Sequence, residues 1–244
     1  MNIKTKKIRV SNLMIDTIKK DIKNIHLGVY PPDGRIRVAA PLKTSNETIR
    51  LLILSKKSWI RKQQKKLLNQ ERQSKREYVS GESHYLFGKR YRLNVIHTDK
   101  KPKIEIKKKT YIDFHVSQNL TTKQREKIFE NFYRSKITKL VPILAKKWQK
   151  KIGVKVSEIK IRKMKTKWGT CNPVGKQIIL NLELVKQPQH CIDYVIVHEL
   201  AHLIEKNHSE KFIDIIEAVL PNWEITKDEL NKGPLGYYKW ARCV

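Results

Sequence analysis

"VIVHELAHLIEKNHSEKF", Val195 to Phe212, holds three histidines and three glutamates within eighteen residues, and its reading decides what the rest of the chain is for. His198-Glu199-Leu200-Ala201-His202 is an H-E-x-x-H. On an α-helix, residues four apart share a face, so the two imidazoles can converge on one ion. Glu199, about 100° further round, cannot ligate that ion in the same way but can reach a water held by it. Zinc takes neutral nitrogen ligands, and a catalytic zinc keeps one position for water. Glu199 is then the general base that takes a proton from this water and passes it to the leaving group. Ile192, Val195, Ile196 and Leu203 give the helix an apolar side, which puts the motif in a protected cleft.

Two histidines hold zinc weakly, so a third ligand is required. His208 follows His202 after "LIEKN", the spacing of the metzincin signature. That signature also needs a glycine where Glu205 stands and a methionine turn downstream. The only methionines are Met1, Met14 and Met164, so it fails on both counts. Instead, Lys206-Asn207 can end the helix, because Asn tolerates the left-handed conformation, and His208 can swing back under the metal. Glu217 is the competing ligand, and Glu205 is expected behind the ligands or in solvent.

Further segments extend the pattern. "KMKTKWGTC" (163–171), "IILNLELV" (178–185), "IDYVIVHELAHL" (192–203) and "KNHSEKF" (206–212), in that order and spacing, resemble the YgjP-like branch of the SprT/WLM-related zinc metallopeptidases. "NIHLGVYPPDGRIRVAAP" (24–41) and "SKKSWIRKQ" (55–63) resemble it more loosely. The resemblance implies an α+β fold with a small gluzincin-like core, in which a sheet lies beside the H-E-x-x-H helix and an edge strand offers its backbone to an extended substrate. It implies one Zn2+ on His198, His202 and His208, with Glu199 as acid/base. The family more often has Ser where this chain has Thr170. "QIILNLEL" (177–184) is expected to be that edge strand, able to accept a peptide by strand addition. Trp168, Gly169 and Asn181 are the expected substrate contacts, with Trp168-Gly169 reading either as a pocket wall with close backbone approach or as a core corner. Tyr237, Tyr238 and Arg162 are candidate oxyanion donors.

The formal net charge is +30, unevenly placed: from Cys191 onward nine acidic residues face six basic ones, which leaves +33 for residues 1–190. A basic body joined to a mildly acidic end suggests an anionic partner for the body. The stretch Lys56–Arg76 concentrates this, with nine basic residues and one acidic, and reads as a basic helix able to meet nucleic acid. Trp59 within it is expected to anchor a core. Cys171, Cys191 and Cys243 form no C-x-x-C pair and read as free thiols in a reducing compartment. No run approaches 18 apolar residues and the first residues lack an apolar stretch, so a cytoplasmic protein without membrane contact is expected.

Strands are expected through residues 1–43, with the Asp-Gly of "PPDG" closing a β-hairpin. A long helix capped by Ser45 or Asn46 follows, carrying Ile49, Leu52, Ile53, Ile60 and Leu67. Short strands fill 78–116, and a second helix begins at Thr121 or Thr122, is kinked or divided at Pro142 and stops at Gly153. No internal repeat is visible. The expected division is a basic N-terminal β/α part, 1–118, and a metallopeptidase domain, 119–244. Two function classes compete: a zinc hydrolase, most simply a metallopeptidase but with phosphoanhydrides of nucleotides as alternative substrates, and a nucleic-acid-binding module with an incidental metal site.

Overall fold

The computed structural model describes residues 5–30, 34–68, 76–107, 109–164 and 167–232. The described residues up to 68 form one compact unit, and those from 76 to 232 form another.

The first unit is a four-stranded sheet of β1 (Thr5–Val10), β2 (Leu13–Lys20), β3 (His26–Tyr30) and β4 (Arg35–Pro41), ordered β1-β2-β4-β3. The outer pairs are antiparallel and the central β2/β4 pair is parallel. Side chains alternate across a strand, and here the alternation holds except in β2 at Thr17 and Ile18, which are both buried. Ile15, Ile36 and Val38 are buried against Ile49, Ile53 and Ile60 of the helices, while Lys7, Arg9 and Arg35 stay exposed. The expected long helix is two: α1 (Asn46–Ser55), capped by the Ser45 hydroxyl, and α2 (Lys57–Leu68), separated at Lys56 with φ −100° and ψ 10°. Ile60 fills the core, which turns its neighbour Trp59 outward and leaves it 41% exposed rather than anchoring. Of the basic stretch, residues 69–75 and the side chains of 66–68 lie outside the described residues.

The second unit opens with β5 (Ser83–Leu86), β6 (Lys89–His97), β7 (Lys103–Lys107) and β8 (Tyr111–Val116), ordered β5-β6-β8-β7. Strand order and pairing senses repeat those of the first sheet. This repeat is invisible in sequence because what recurs is alternation and connectivity, not residue identity. Over the sheet lies α3 (Thr122–Ile152), started by a Thr121/Gln124 capping box and ended by Gly153 at φ 78°. It runs through Pro142 as a single element. Its buried stripe is Phe129, Tyr133, Ile137, Val141, Leu144, Ala145 and Trp148; of the stripe that helical spacing suggests, Ile128, Phe132, Leu140, Leu144 and Trp148, the last two are buried and the first three only partly so. Phe129 meets Phe114 of β8 edge-on at 5.1 Å, so sheet and helix share a core. A division at 118/119 would cut that core between β8 and α3; the compact units instead separate after α2.

A third sheet, of β9 (Glu158–Arg162), β10 (Gly169–Asn172) and β11 (Gln177–Asn181), has the order β10-β11-β9. A short 3-10 turn (Leu182–Lys186) leads to α4 (Gln189–Ala201), and α5 (Glu210–Glu217) and α6 (Trp223–Lys232) follow. Helix α4 is buried at every residue from Cys191 to Ala201, which explains why so polar a motif sits in so apolar a helix. No helix among the described residues is long and apolar enough to cross a membrane.

Candidate metal centre

Helix α4 carries His198 and His202 on one side. It unwinds at His202, where the next amides bond in tighter turns, Leu203 N–H to Leu200 O and Ile204 N–H to Ala201 O, each at 3.0 Å. This is earlier than the expected end at Lys206-Asn207. The chain then reverses, and Ser209 opens α5. The reversal brings His208 back to the helix, with His208 Nε2 3.2 Å from His198 Nε2. The ring centroids of the three histidines are 4.8–5.1 Å apart, and one nitrogen from each lies within 4.8 Å of the others. Glu217 is not in this group: it is exposed and accepts from Trp223 Nε1 at 3.4 Å.

The arrangement fits a tetrahedral cation. Two nitrogens bound at about 2.0–2.1 Å on a tetrahedron stand about 3.3 Å apart, close to the His198–His208 separation. Two imidazole lone pairs facing each other at that distance repel unless a proton or a cation lies between them. Burial, then the neighbouring His202 and His208, push His198 down to about 3, so it is neutral and able to ligate at neutral pH. His208 is lowered by burial and by His202. His202 Nδ1 lies 3.1 Å from the Glu205 carbonyl; a carbonyl only accepts, so Nδ1–H donates and the Nε2 lone pair is left free. Glu205 thus serves through its backbone, while its carboxylate accepts from Asn207 N–H at 3.0 Å. A second group, His190, Cys191 and Glu229, differs: His190 and Glu229 already close on each other at 2.6 Å, as an exposed ion pair does.

Phe212, one turn into α5, was not singled out by sequence. It is 3% exposed and its ring lies 5.0, 4.6 and 4.7 Å from those of His198, His202 and His208. It is the apolar floor that sets their spacing. The four-residue step from His208 to Phe212 was the available signal. Asp193 was also missed: buried at 8% exposure, it accepts from Trp148 Nε1 at 2.5 Å and ties α4 to α3.

Glu199 is 5% exposed, and burial pushes its carboxyl up to about 8, with Lys167 pulling the other way. Strand β10 lies directly over it. A Cβ built on Gly169 would sit 2.5 Å from Glu199 Oε1 and 2.7 Å from its Cγ, so only glycine leaves room for the carboxylate. Burial and the charge of Glu199 push the Cys171 thiol up to about 11, which keeps it a neutral thiol rather than a thiolate ligand.

The expected edge strand is corrected. Strand β11 pairs on both sides, antiparallel with β10 and parallel with β9, because the "CNPVG" turn folds β10 back onto it. Among the described residues β10 and β9 are the two outer strands, and β10 is the one that lies over Glu199. Asn181 N–H donates to Trp168 O at 2.8 Å, and hydrogen-bonding residues alternate along an antiparallel strand. The backbone groups of Gly169 and Cys171 therefore point away from β11. Asn181 is fully buried, and its amide is committed to backbone: Nδ2 donates to Met164 O and Lys167 O, and Oδ1 accepts from Met164 and Glu183 amides. These bonds hold the backbone of Met164, Lys167 and Glu183 together around it. Trp168 is half-buried and packs against the core. Arg162 is exposed on β9, the outer strand on the side of the sheet away from β10; Tyr237 and Tyr238 lie outside the described residues.

The family model for YgjP-like metallopeptidase domains matches residues 23–233, and the chain belongs to that family: it is an enzyme of the zinc-dependent metallopeptidase class. No curated protein matches it. Among solved structures, the zymogen of abylysin, a Pyrococcus abyssi metallopeptidase, is 23% identical with a TM-score of 0.35, over 37% of this chain and 90% of that one. The zymogen of jannalysin, a Methanocaldococcus jannaschii metallopeptidase, is 25% identical with a TM-score of 0.33, over 37% and 91%.

Proposed function

We propose that this protein is a cytoplasmic zinc peptidase with a gluzincin-like core in its second unit, in which His198, His202 and His208 hold one zinc ion and Glu199 acts as general acid/base. When bound, zinc supplies a Lewis acid for the scissile carbonyl and lowers the pKa of a water it holds. The protein supplies the rest. Burial keeps His198 neutral, the Glu205 carbonyl fixes the tautomer of His202, and Phe212 spaces all three rings. Glu199 takes a proton from the attacking water and delivers it to the leaving amine. An extended peptide adds to β10 through the backbone groups of Gly169 and Cys171 that point away from β11.

One observation carries this reading: Gly169 offers its main chain along the open sheet edge while its Cα rests on the Glu199 carboxylate. A chain paired to that edge lies across the general base. Incubating the purified protein with an unfolded protein substrate, untreated, chelated, and chelated then resupplied with zinc, tests it. Cleavage should vanish on chelation and return with zinc. Cleavage that survives chelation, or turnover of nucleoside triphosphates with none of peptides, would overturn the peptidase assignment.

A further inference from the structure

The outward face of the first sheet is built differently from its core face. Strand register aligns Arg9, Met14, Arg35 and Tyr30 in one row across β1, β2, β4 and β3, and Lys7, Asp16, Arg37 and Gly28 in the next. None of these belongs to the aliphatic core beneath α1 and α2. Lys7, Arg9, Met14 and Arg35 are exposed, and Arg37 and Tyr30 are half-exposed. Four cations thus share two rows with one carboxylate, Asp16, which Arg35 approaches at 3.5 Å. Beyond these rows the face closes, with Ile18 buried.

Gly28 explains how the aromatic ring lies. A Cβ there would be 2.6 Å from Tyr30 Cε2 and 2.9 Å from Cζ and Oη. The ring therefore lies down along the strand against the Gly28 backbone, with arginines on β4 opposite both residues. A flat ring set among guanidinium groups on an open sheet is a stacking platform with phosphate contacts around it.

We propose that this sheet face binds single-stranded nucleic acid, with Tyr30 stacking on a base and Lys7, Arg9, Arg35 and Arg37 contacting phosphates. Every base has a π-face, so stacking requires no particular sequence, and phosphates follow the bases along the strand. A duplex fits poorly, because its bases are stacked on one another and cannot reach a ring lying flat on a sheet. The site differs from the basic helix α2, which belongs to the opposite, core side of the sheet.

Fluorescence anisotropy of labelled oligo-dT and oligo-U with the full chain tests the proposal, against Tyr30→Ala, Tyr30→Phe, Arg35→Glu/Arg37→Glu and an α2 variant, Lys57→Glu/Arg61→Glu, all verified as folded by thermal melting. Wild type should bind, and weaken steeply from about 50 to about 200 mM salt. Tyr30→Ala should lose about tenfold, while Tyr30→Phe, which keeps the ring, stays within about twofold. The double reversal on β4 should lose more than the one on α2. Absence of binding at about 50 mM salt, a larger loss from the α2 variant than from the face variants, or equal sensitivity to Tyr30→Ala when heparin or anionic vesicles replace the oligonucleotide would overturn it.

Discussion

The first and second sheets have the same strand order and the same pairing senses, yet what covers them differs. The first meets two short helices through isoleucines and valines and keeps its charges on the far face. The second meets one 31-residue helix through a mixed layer, where His84 stacks on Phe129 at 4.6 Å and Tyr133 lies 3.4 Å from His84 Nδ1. That long helix also packs against α4, the helix that carries the metal motif. Connectivity thus builds a platform, and what is laid over it decides whether polar residues are spent on the surface or buried for chemistry. Buried polar groups are costly unless satisfied, so the second unit should be the fragile and chemically active one.

His208→Ala should break this contrast most severely. Zinc content and peptide cleavage should both be lost, while Glu217→Ala retains both; elemental analysis beside a peptidase assay reads the two together. Phe212→Ala should destabilise the second unit by about 3–5 kcal/mol, the range for a buried Phe, and loosen zinc binding, whereas the first unit keeps its hydrogen-exchange protection. Gly169→Ala forces a methyl onto the Glu199 carboxylate. We expect about 1–3 kcal/mol of destabilisation from overpacking and a kcat about a hundredfold lower from misplacement of the base, with zinc still bound.

The smallest effect is on pH. Burial lowers His84 from its ordinary 6.5, with the Glu82 hydrogen bond opposing. Glu82 is raised by burial but lowered further by its bonds to His84 and the Glu77 and Tyr78 amides, ending below its ordinary 4.5. In both cases the unfolded chain binds more protons than the folded one, so stability is lost as pH falls, first through about 6.5 and then through about 4.5. Exchange protection measured at about pH 7.5 and about pH 5 should fall in the second unit and hold in the first; His84→Gln should lessen the fall without abolishing it, because His198 and His208, also lowered by burial, add to it when no metal is bound.

Local spacing made much of this legible. The H-E-x-x-H, the return of His208, the caps at Ser45 and Thr121, and the stop at Gly153 all depend on neighbours within a few residues. What spacing could not show depends on partners far along the chain. "QIILNLEL" alternates like any half-buried strand, and nothing in it says that β9 and β10 take both its edges. Gly169 could be a bulge, a corner or a close approach until Glu199, thirty residues on, is placed beneath it. The backbone groups that the Asn181 amide bonds, at Met164, Lys167 and Glu183, likewise follow no recognisable pattern in the sequence. By size Trp59 belongs in a core, but Ile60 occupies that position. The Phe114–Phe129 contact is equally hidden: it joins β8 to α3 across the turn that reads as a soft boundary.

Glu199→Gln is the most direct test of the proposed chemistry, because it removes the base and leaves the three histidines untouched. Zinc content and peptide turnover should be measured on the same preparation. Zinc should be retained at the wild-type level with turnover reduced by about 10²–10⁴-fold, the usual share of a general base. Wild-type turnover in a zinc-loaded Glu199→Gln protein would contradict it.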